Sequence, residues 1–234
     1  MMTRFWAHAL GAIVAAIALG ASATPAQGAF ITTVPSWNGI DNLAYFGEPN
    51  TATYGQTITV GATDTFLTDF SFRMGTDPGQ ISKFKAVVMQ WDQATLRAVG
   101  PILYNSSALT NTGPVDGFNV VTITTNVNLA ANTQYVLFFS ASNFFDSVND
   151  QSVFGFISSD VYSGGEFVFS NNGNDPTLLT SSSWTNFSPG DLAFDAHLSP
   201  VNPTPAPAGI VLFGLGFAGM GLLRKFRKGK TAIA

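Results

Sequence analysis

"FLTDFSFRM", Phe66 to Met74, alternates with a period of two. Phe66, Thr68, Phe70, Phe72 and Met74 fall on one side, and Leu67, Asp69, Ser71 and Arg73 on the other. Only an extended strand with one face in a core and one in water reads this way. "KFKAVVMQW", Lys83 to Trp91, repeats the pattern. It sets Phe84, Ala86 and Val88 against Lys83, Lys85, Val87, Met89 and Trp91. Pro78 and Gly79 in "TDPGQ" supply a turn between the two.

The pattern extends outward from these two segments. Further strands are expected at Gln56–Val60, Phe118–Thr125, Gln134–Ser140, Val153–Ile157, Glu166–Ser170 and Leu192–Leu198. Gly, Asn, Asp and Pro fill the intervals, and "NNGND", Asn171 to Asp175, is the plainest loop. No helical period stands out. Eight or nine strands between Phe30 and Ser199 predict an all-β, jelly-roll-like antiparallel sandwich. The chain has 21 phenylalanines and 4 tryptophans, and Phe, with no polar handle, fills cores. Phe138-Phe139 and Phe144-Phe145 cannot both face one core from a simple strand, so one of each pair should pack under a loop or a second layer.

Charge divides the 234 residues into three zones. The body holds Arg73, Lys83, Lys85 and Arg97 against all 14 carboxylates, a net charge of −10. The other six cations lie at the two ends. An acidic body argues against nucleic acid, which needs a basic footprint. Cysteine is absent, so disulfides, thiolate zinc sites and cysteine nucleophiles are excluded.

The first 28 residues predict a secretory signal peptide. Arg4 precedes an apolar run from Phe5 to Leu19, and small residues at Ala21-Ser22-Ala23 or Ala26-Gln27-Gly28 supply a cleavage site. At the other end, 200–207 is a linker with four prolines, extended by their fixed φ. Ala208 to Leu223 is uncharged and predicts a transmembrane helix. Its sixteen residues reach about 24 Å as a helix against a hydrocarbon core of about 30 Å, a gap that snorkelling basic side chains can close. The tail 224–234 opens with Arg224, Lys225, Arg227 and Lys228. By the positive-inside rule this basic stop cluster stays cytoplasmic, which places the body outside the membrane. These residues fit either a permanent anchor or a segment that is removed.

The order Pro-Ala-Pro motif, apolar Gly-rich run, basic cluster resembles the PEP-CTERM sorting signal of bacterial exopolysaccharide-associated proteins, in its Pro-Ala-Pro or VPLPA-like variant. Pro205, Ala206, Pro207 and Ala208 occupy the motif position. Ala206 replaces the glutamate of the name-giving motif, Thr204 stands where valine is usual, and Pro203-Thr204-Pro205 offers a second register. The resemblance implies an exosortase as partner, cutting near the prolines and discarding or exchanging the helix. It also implies a life at the cell surface or in the exopolysaccharide of a biofilm. "YGQTITVGATDTFLTDFSFRM" (Tyr54 to Met74), "VVMQWD" (Val87 to Asp92) and "DLAFDAHL" (Asp191 to Leu198) look like segments of jelly-roll domains in secreted bacterial proteins. That likeness implies a sandwich similar to carbohydrate-binding modules.

Chemistry has few carriers in the body. His197 is its one histidine, with Asp195 on the same strand face. No G-x-S-x-G motif supplies a nucleophile. Glu48 and Glu166 sit in unrelated stretches, which gives little for a glycosidase pair. The expectation is therefore a non-enzymatic protein without cofactor. Asn172, Asn174, Asp175 and, separately, Asp146, Asn149, Asp150 are the oxygen-rich clusters where a structural calcium ion would sit. Trp184, Trp91 and Trp37 are the candidate glycan contacts, with Tyr45, Tyr104 and Tyr162 behind them; closing the ends of the core is the alternative role for each tryptophan. A defined carbohydrate-binding module is the second reading beside a structural matrix protein.

Overall fold

A computed structural model describes residues 28–76, 80, 82–111 and 117–201. The expected signal peptide, sorting motif, transmembrane segment and basic cluster lie outside these residues, as does most of the turn at 76–80. Among the described residues, no helix is long and apolar enough to cross a membrane.

The chain is almost entirely β. It opens with β1 (Phe30–Thr32), β2 (Asn42–Glu48), β3 (Thr53–Thr59) and β4 (Phe66–Thr76). β5 (Lys83–Asp92), β6 (Arg97–Asn105), β7 (Leu109–Thr110) and β8 (Asn119–Asn128) follow. Then come β9 (Gln134–Ser140), β10 (Asp150–Ile157) and β11 (Phe167–Ser170). A single helical turn, α1 (Leu178–Ser181), precedes β12 (Thr185–Asn186), β13 (Asp191–Leu192) and β14 (Phe194–Ser199).

The strands form two sheets, and every ladder between them is antiparallel. In the first, β10 lies between β2 and β4, and β4 is bordered on its far side by β8. β13 and β14 extend this sheet beside β10 and β4, and β1 pairs β14. The second runs β12-β11-β3-β9-β5-β6, with β7 on the end of β5. From β2 to β5 and from β7 to β11 the chain crosses between the sheets at every connection, so these neighbours in sequence lie in opposite sheets.

That core is made of rings. Phe46, Phe70, Phe72, Phe84, Phe139, Phe154, Phe167 and Phe194 are all at most 1% exposed. They meet edge-on, as at Phe72 and Phe139 (5.0 Å, 90°), or stacked, as at Phe84 and Phe139 (4.7 Å, 27°). Each such burial stabilises by about 1.5–3 kcal/mol, which is how a sandwich without disulfides holds.

The alternation in β4 is observed from Phe70 to Met74. It is broken at Leu67, expected on the polar face but wholly buried. The cause is a β-bulge: Asp69 opposes His197 while Leu67 opposes Leu198, so Thr68 is an extra residue and the faces exchange across it. Phe66 becomes half-buried as a result.

A second apolar layer lies on the outer face of the second sheet. Val87, Met89, Trp91, Ala98, Val136, Phe138, Val168, Leu179 and Trp184 form it. Phe138 and Phe139 thus both disappear from water, one into each layer. Phe144 and Phe145, in the loop after β9, are both half-buried.

Candidate functional site

The outer face of the second sheet carries a groove built by three neighbouring strands. Strand alternation sends Lys85, Val87 and Met89 outward from β5, because Phe84, Ala86 and Val88 take the core side. Register then sets Ser140 of β9 opposite Lys85, and both Phe138 of β9 and Asn105 of β6 opposite Val87. Asn143, Pro176, Leu179 and Thr180 raise one wall, and Gly100 and Ile102 the other. The result is a groove of about 380 Å³.

Its floor is apolar and its polar groups divide into two kinds. Ser140 Oγ is engaged with Thr53 Oγ1 at 2.8 Å, and Ser142 Oγ donates to the Gly173 carbonyl at 2.9 Å. These hydroxyls hold the walls together. The side chains of Lys85, Asn105 and Asn143 make no hydrogen bond or ion pair among the described residues. None of the three was singled out as a ligand contact from sequence. The available signal was Lys85 itself, one of four cations in a body of 14 carboxylates, on the outward face of a strand.

The tryptophans lie outside the lining of the groove. Trp91 and Trp184 are each 3% exposed, so neither offers a face to a sugar. Their rings meet edge-on at 5.5 Å, Trp184 also lies across Phe138 at 5.2 Å, and its indole N–H donates to the Leu179 carbonyl at 2.9 Å. Together they fasten residues 176–184 over the sheet. Trp184 is the first of the candidate glycan contacts named from sequence, and it stands in the polar run "TSSSWTNFSPG". It is instead, with Leu179, an apolar anchor of this polar segment, and burial is why it is there. Trp37 is half-buried, donates its indole N–H to the Asp41 carbonyl at 2.7 Å and packs edge-on to Phe118 at 4.7 Å. Tyr45 is exposed.

His197 is exposed on β14, and its Nδ1 lies 2.6 Å from Asp69 Oδ1 on β4. Phe30 stacks on the ring at 4.5 Å. Asp195, its sequence neighbour on that face, serves Arg73 instead, at 2.6 Å with both side chains 14% exposed. Ser71 donates to Asp195 and accepts from Arg73. The serine near this histidine therefore belongs to an ion-pair network, not to a nucleophile–base pair. Burial pushes the Asp195 carboxyl up, but hydrogen bonds from Thr32, Arg73 and Ser71 and the Arg73 charge outweigh it and leave Asp195 below the usual carboxylate range.

The two glutamates also have structural partners. Glu48 accepts the backbone N–H groups of Asp146 and Ser147. Glu166 accepts from Gln93 and Asn186. Glu166 and Asp160 line a shallow polar cleft of about 300 Å³ beside β3. The carboxyl that burial raises is Asp191, wholly buried away from that cleft. Bonds from Val161, Gln56 and Tyr162 oppose the rise, and the charge of Asp160 adds to it.

The oxygen-rich loops are tied up internally. Asn172 accepts from Thr53 Oγ1 and donates to the Asp175 carbonyl, Asp175 caps Thr177, and Asn174 receives the Phe145 N–H. Asp146 closes its own turn on Val148. Among the described residues, no three of His, Cys, Asp and Glu gather as they would around a metal ion.

No protein-family model matches the chain, and no curated protein matches its sequence. Among solved structures, the chain is similar to the cysteine protease and lectin-like domains of Cwp84, a surface layer associated protein of Clostridium difficile. The similarity has a TM-score of 0.41 at 12% identity, over 64% of this chain and 32% of that one. The chain thus spans about a third of the length of that protein, and the functional reading rests on its own residues.

Proposed function

We propose that this is an exported, non-enzymatic cell-surface or extracellular-matrix protein, sorted through a PEP-CTERM-type tail by an exosortase and residing among exopolysaccharide. The observation that carries the reading is the order of segments. A secretory leader, a cysteine-free acidic β body, a proline linker, an apolar run and a basic cluster follow one another along one chain. The non-enzymatic part is supported by His197, Glu48 and Glu166, whose nearest polar partners all belong to the scaffold. The sandwich is read as a jelly roll. Strands in the order β2-β10-β4-β8 face strands in the order β3-β9-β5-β6, with the chain alternating between them.

Mass spectrometry of the mature C-terminus tests the sorting. The expected terminus lies near Pro205–Ala208, and a peptide intact through Lys230 in wild-type cells would refute it. The second reading, a carbohydrate-binding module with a defined glycan site, is favoured by one observation: the groove lined by Lys85, Asn105 and Asn143 presents polar side chains that make no hydrogen bond or ion pair to the described scaffold. A glycan array on the full chain separates the two readings, since a purely structural matrix protein binds no glycan selectively.

A further inference from the structure

We propose that the groove on the outer face of the second sheet binds a carboxylate-bearing sugar, a uronate unit of an acidic polysaccharide, with Lys85 as its charge partner. This rests on the carbohydrate-binding reading and names the class of glycan.

Charge distinguishes the groove from the rest of the body. Of the four cations in the body, Arg73 is paired with Asp195 and Lys83 lies 3.9 Å from Asp146. Arg97 faces Asp92 across the β5–β6 ladder and helps hold that carboxyl down. Lys85 alone has no carboxylate beside it among the described residues. It is also half-buried, with a stem that lies along the apolar groove and an ammonium free to meet an incoming anion. No residue lining the groove is Asp or Glu, in a body of net charge −10. Among the described residues, the acids are kept out of a concavity that holds an unpaired cation.

Shape and hydrogen bonding narrow the ligand further. A volume of about 380 Å³ is at the small end of ligand sites. Ile102, 55% exposed, and the Lys85 stem offer apolar surface to the C–H face of a ring. Asn105 and Asn143 supply amides that can both donate and accept, which suits vicinal hydroxyls. A carboxylate, a hydroxylated rim and an apolar ring face together describe a uronic acid. A neutral sugar leaves the lysine unused, and a simple carboxylate leaves the two amides unused.

The test uses the full chain in mild detergent, titrated by calorimetry with oligogalacturonate and oligomannuronate, with a neutral oligosaccharide of equal length, and with acetate. At least one oligouronate is expected to bind at least tenfold more tightly than the neutral sugar and acetate, and more weakly as salt rises. Lys85→Ala should lower that affinity at least tenfold. Lys85→Arg should retain most of it, and Lys83→Ala, outside the groove, should leave it unchanged. Unchanged thermal melting shows that each variant is folded. Oligouronate binding that survives Lys85→Ala would overturn the groove assignment, and so would neutral sugar bound as tightly as uronate. No oligouronate binding alongside an array hit for another glycan overturns this inference and leaves the carbohydrate-binding reading standing. No binding to any glycan overturns both.

Discussion

Gln56 and Asp191 join the two sheets by a buried hydrogen bond. The Gln56 amide donates to Asp191 Oδ1 at 2.7 Å, and its carbonyl oxygen accepts the Leu192 N–H at 2.9 Å. Both residues are 0% exposed. Gln56 projects from β3 between Tyr54 and Ile58, and Asp191 also receives the N–H groups of Val161 and Tyr162. One polar clamp therefore fixes how a strand of one sheet sits over the end of the other and over the loop at 160–162.

Every partner of Asp191 is a donor, so the site demands an acceptor on both oxygens. Asp191→Asn is expected to destabilise the fold by about 1–3 kcal/mol, because one amide N–H₂ must face a donor. Gln56→Ala should cost a similar amount, and the double variant less than the sum. Urea denaturation of the three variants checks this; an Asp191→Asn protein as stable as wild type would remove the clamp from the account.

Asp195 and Asp191 respond to acid in opposite senses. The folded carboxyl of Asp195 lies below its unfolded value, so on acidification the unfolded chain takes up that proton first. The Arg73–Asp195 contribution is complete above the ordinary Asp range of about pH 4 and is lost as pH falls through the depressed folded value. Asp191 is raised, chiefly by burial. The cost of burying its charge is absent below the ordinary range and grows as pH climbs through the raised value, offset in part by the donors that favour the ionised form. Thermal melts from acid to neutral pH should show Asp195→Asn flattening the acid limb. An acid limb unchanged in Asp195→Asn would contradict the assignment.

Trp184 should be the costliest residue in the 176–184 segment. Trp184→Ala opens a cavity over Phe138 and Trp91 and leaves the Leu179 carbonyl without its donor, an expected loss of about 3–5 kcal/mol. Limited proteolysis should then cut near Leu178–Ser182, while the wild-type protein resists there. Equal resistance in both proteins would mean that something other than Trp184 holds the segment.

Gly165 permits β3 to approach the loop before β11. A Cβ at this position would stand 1.8 Å from the Thr57 carbonyl oxygen. Because that neighbour is backbone, Gly165→Ala should cost about 1–3 kcal/mol, read as a lower melting temperature. A melting temperature unchanged by the substitution would show that the strand has room to move.

Much of this architecture was legible in the period-two segments. β9 coincides with the expected Gln134–Ser140, and the outward set Val87, Met89 and Trp91 on β5 faces as alternation required. β2 and β6 were not legible. "NLAYFGE" and "RAVGPILYN" carry Gly or Gly-Pro inside the strand, and edge positions tolerate these where central ones do not. The bulge at Thr68 was hidden because one inserted residue shifts register without changing composition. At the candidate site, aromaticity pointed to Trp184 and Trp91. Both are large enough that a second apolar layer claimed them, and the groove is marked instead by Lys85 and two amides that no spacing rule distinguishes.

The first and last strands lie side by side: Phe30 pairs with His197, and the Leu198 N–H donates to the Ala29 carbonyl at 2.8 Å. β14 is bonded along both edges, to β1 on one side and β4 on the other. Tension applied through Ser199 consequently enters the body on an interior strand held by two ladders and spreads into both before either opens. A load applied there would meet a strand paired on both sides, and the two ends of the described body leave it together, like the jaws of a single clip.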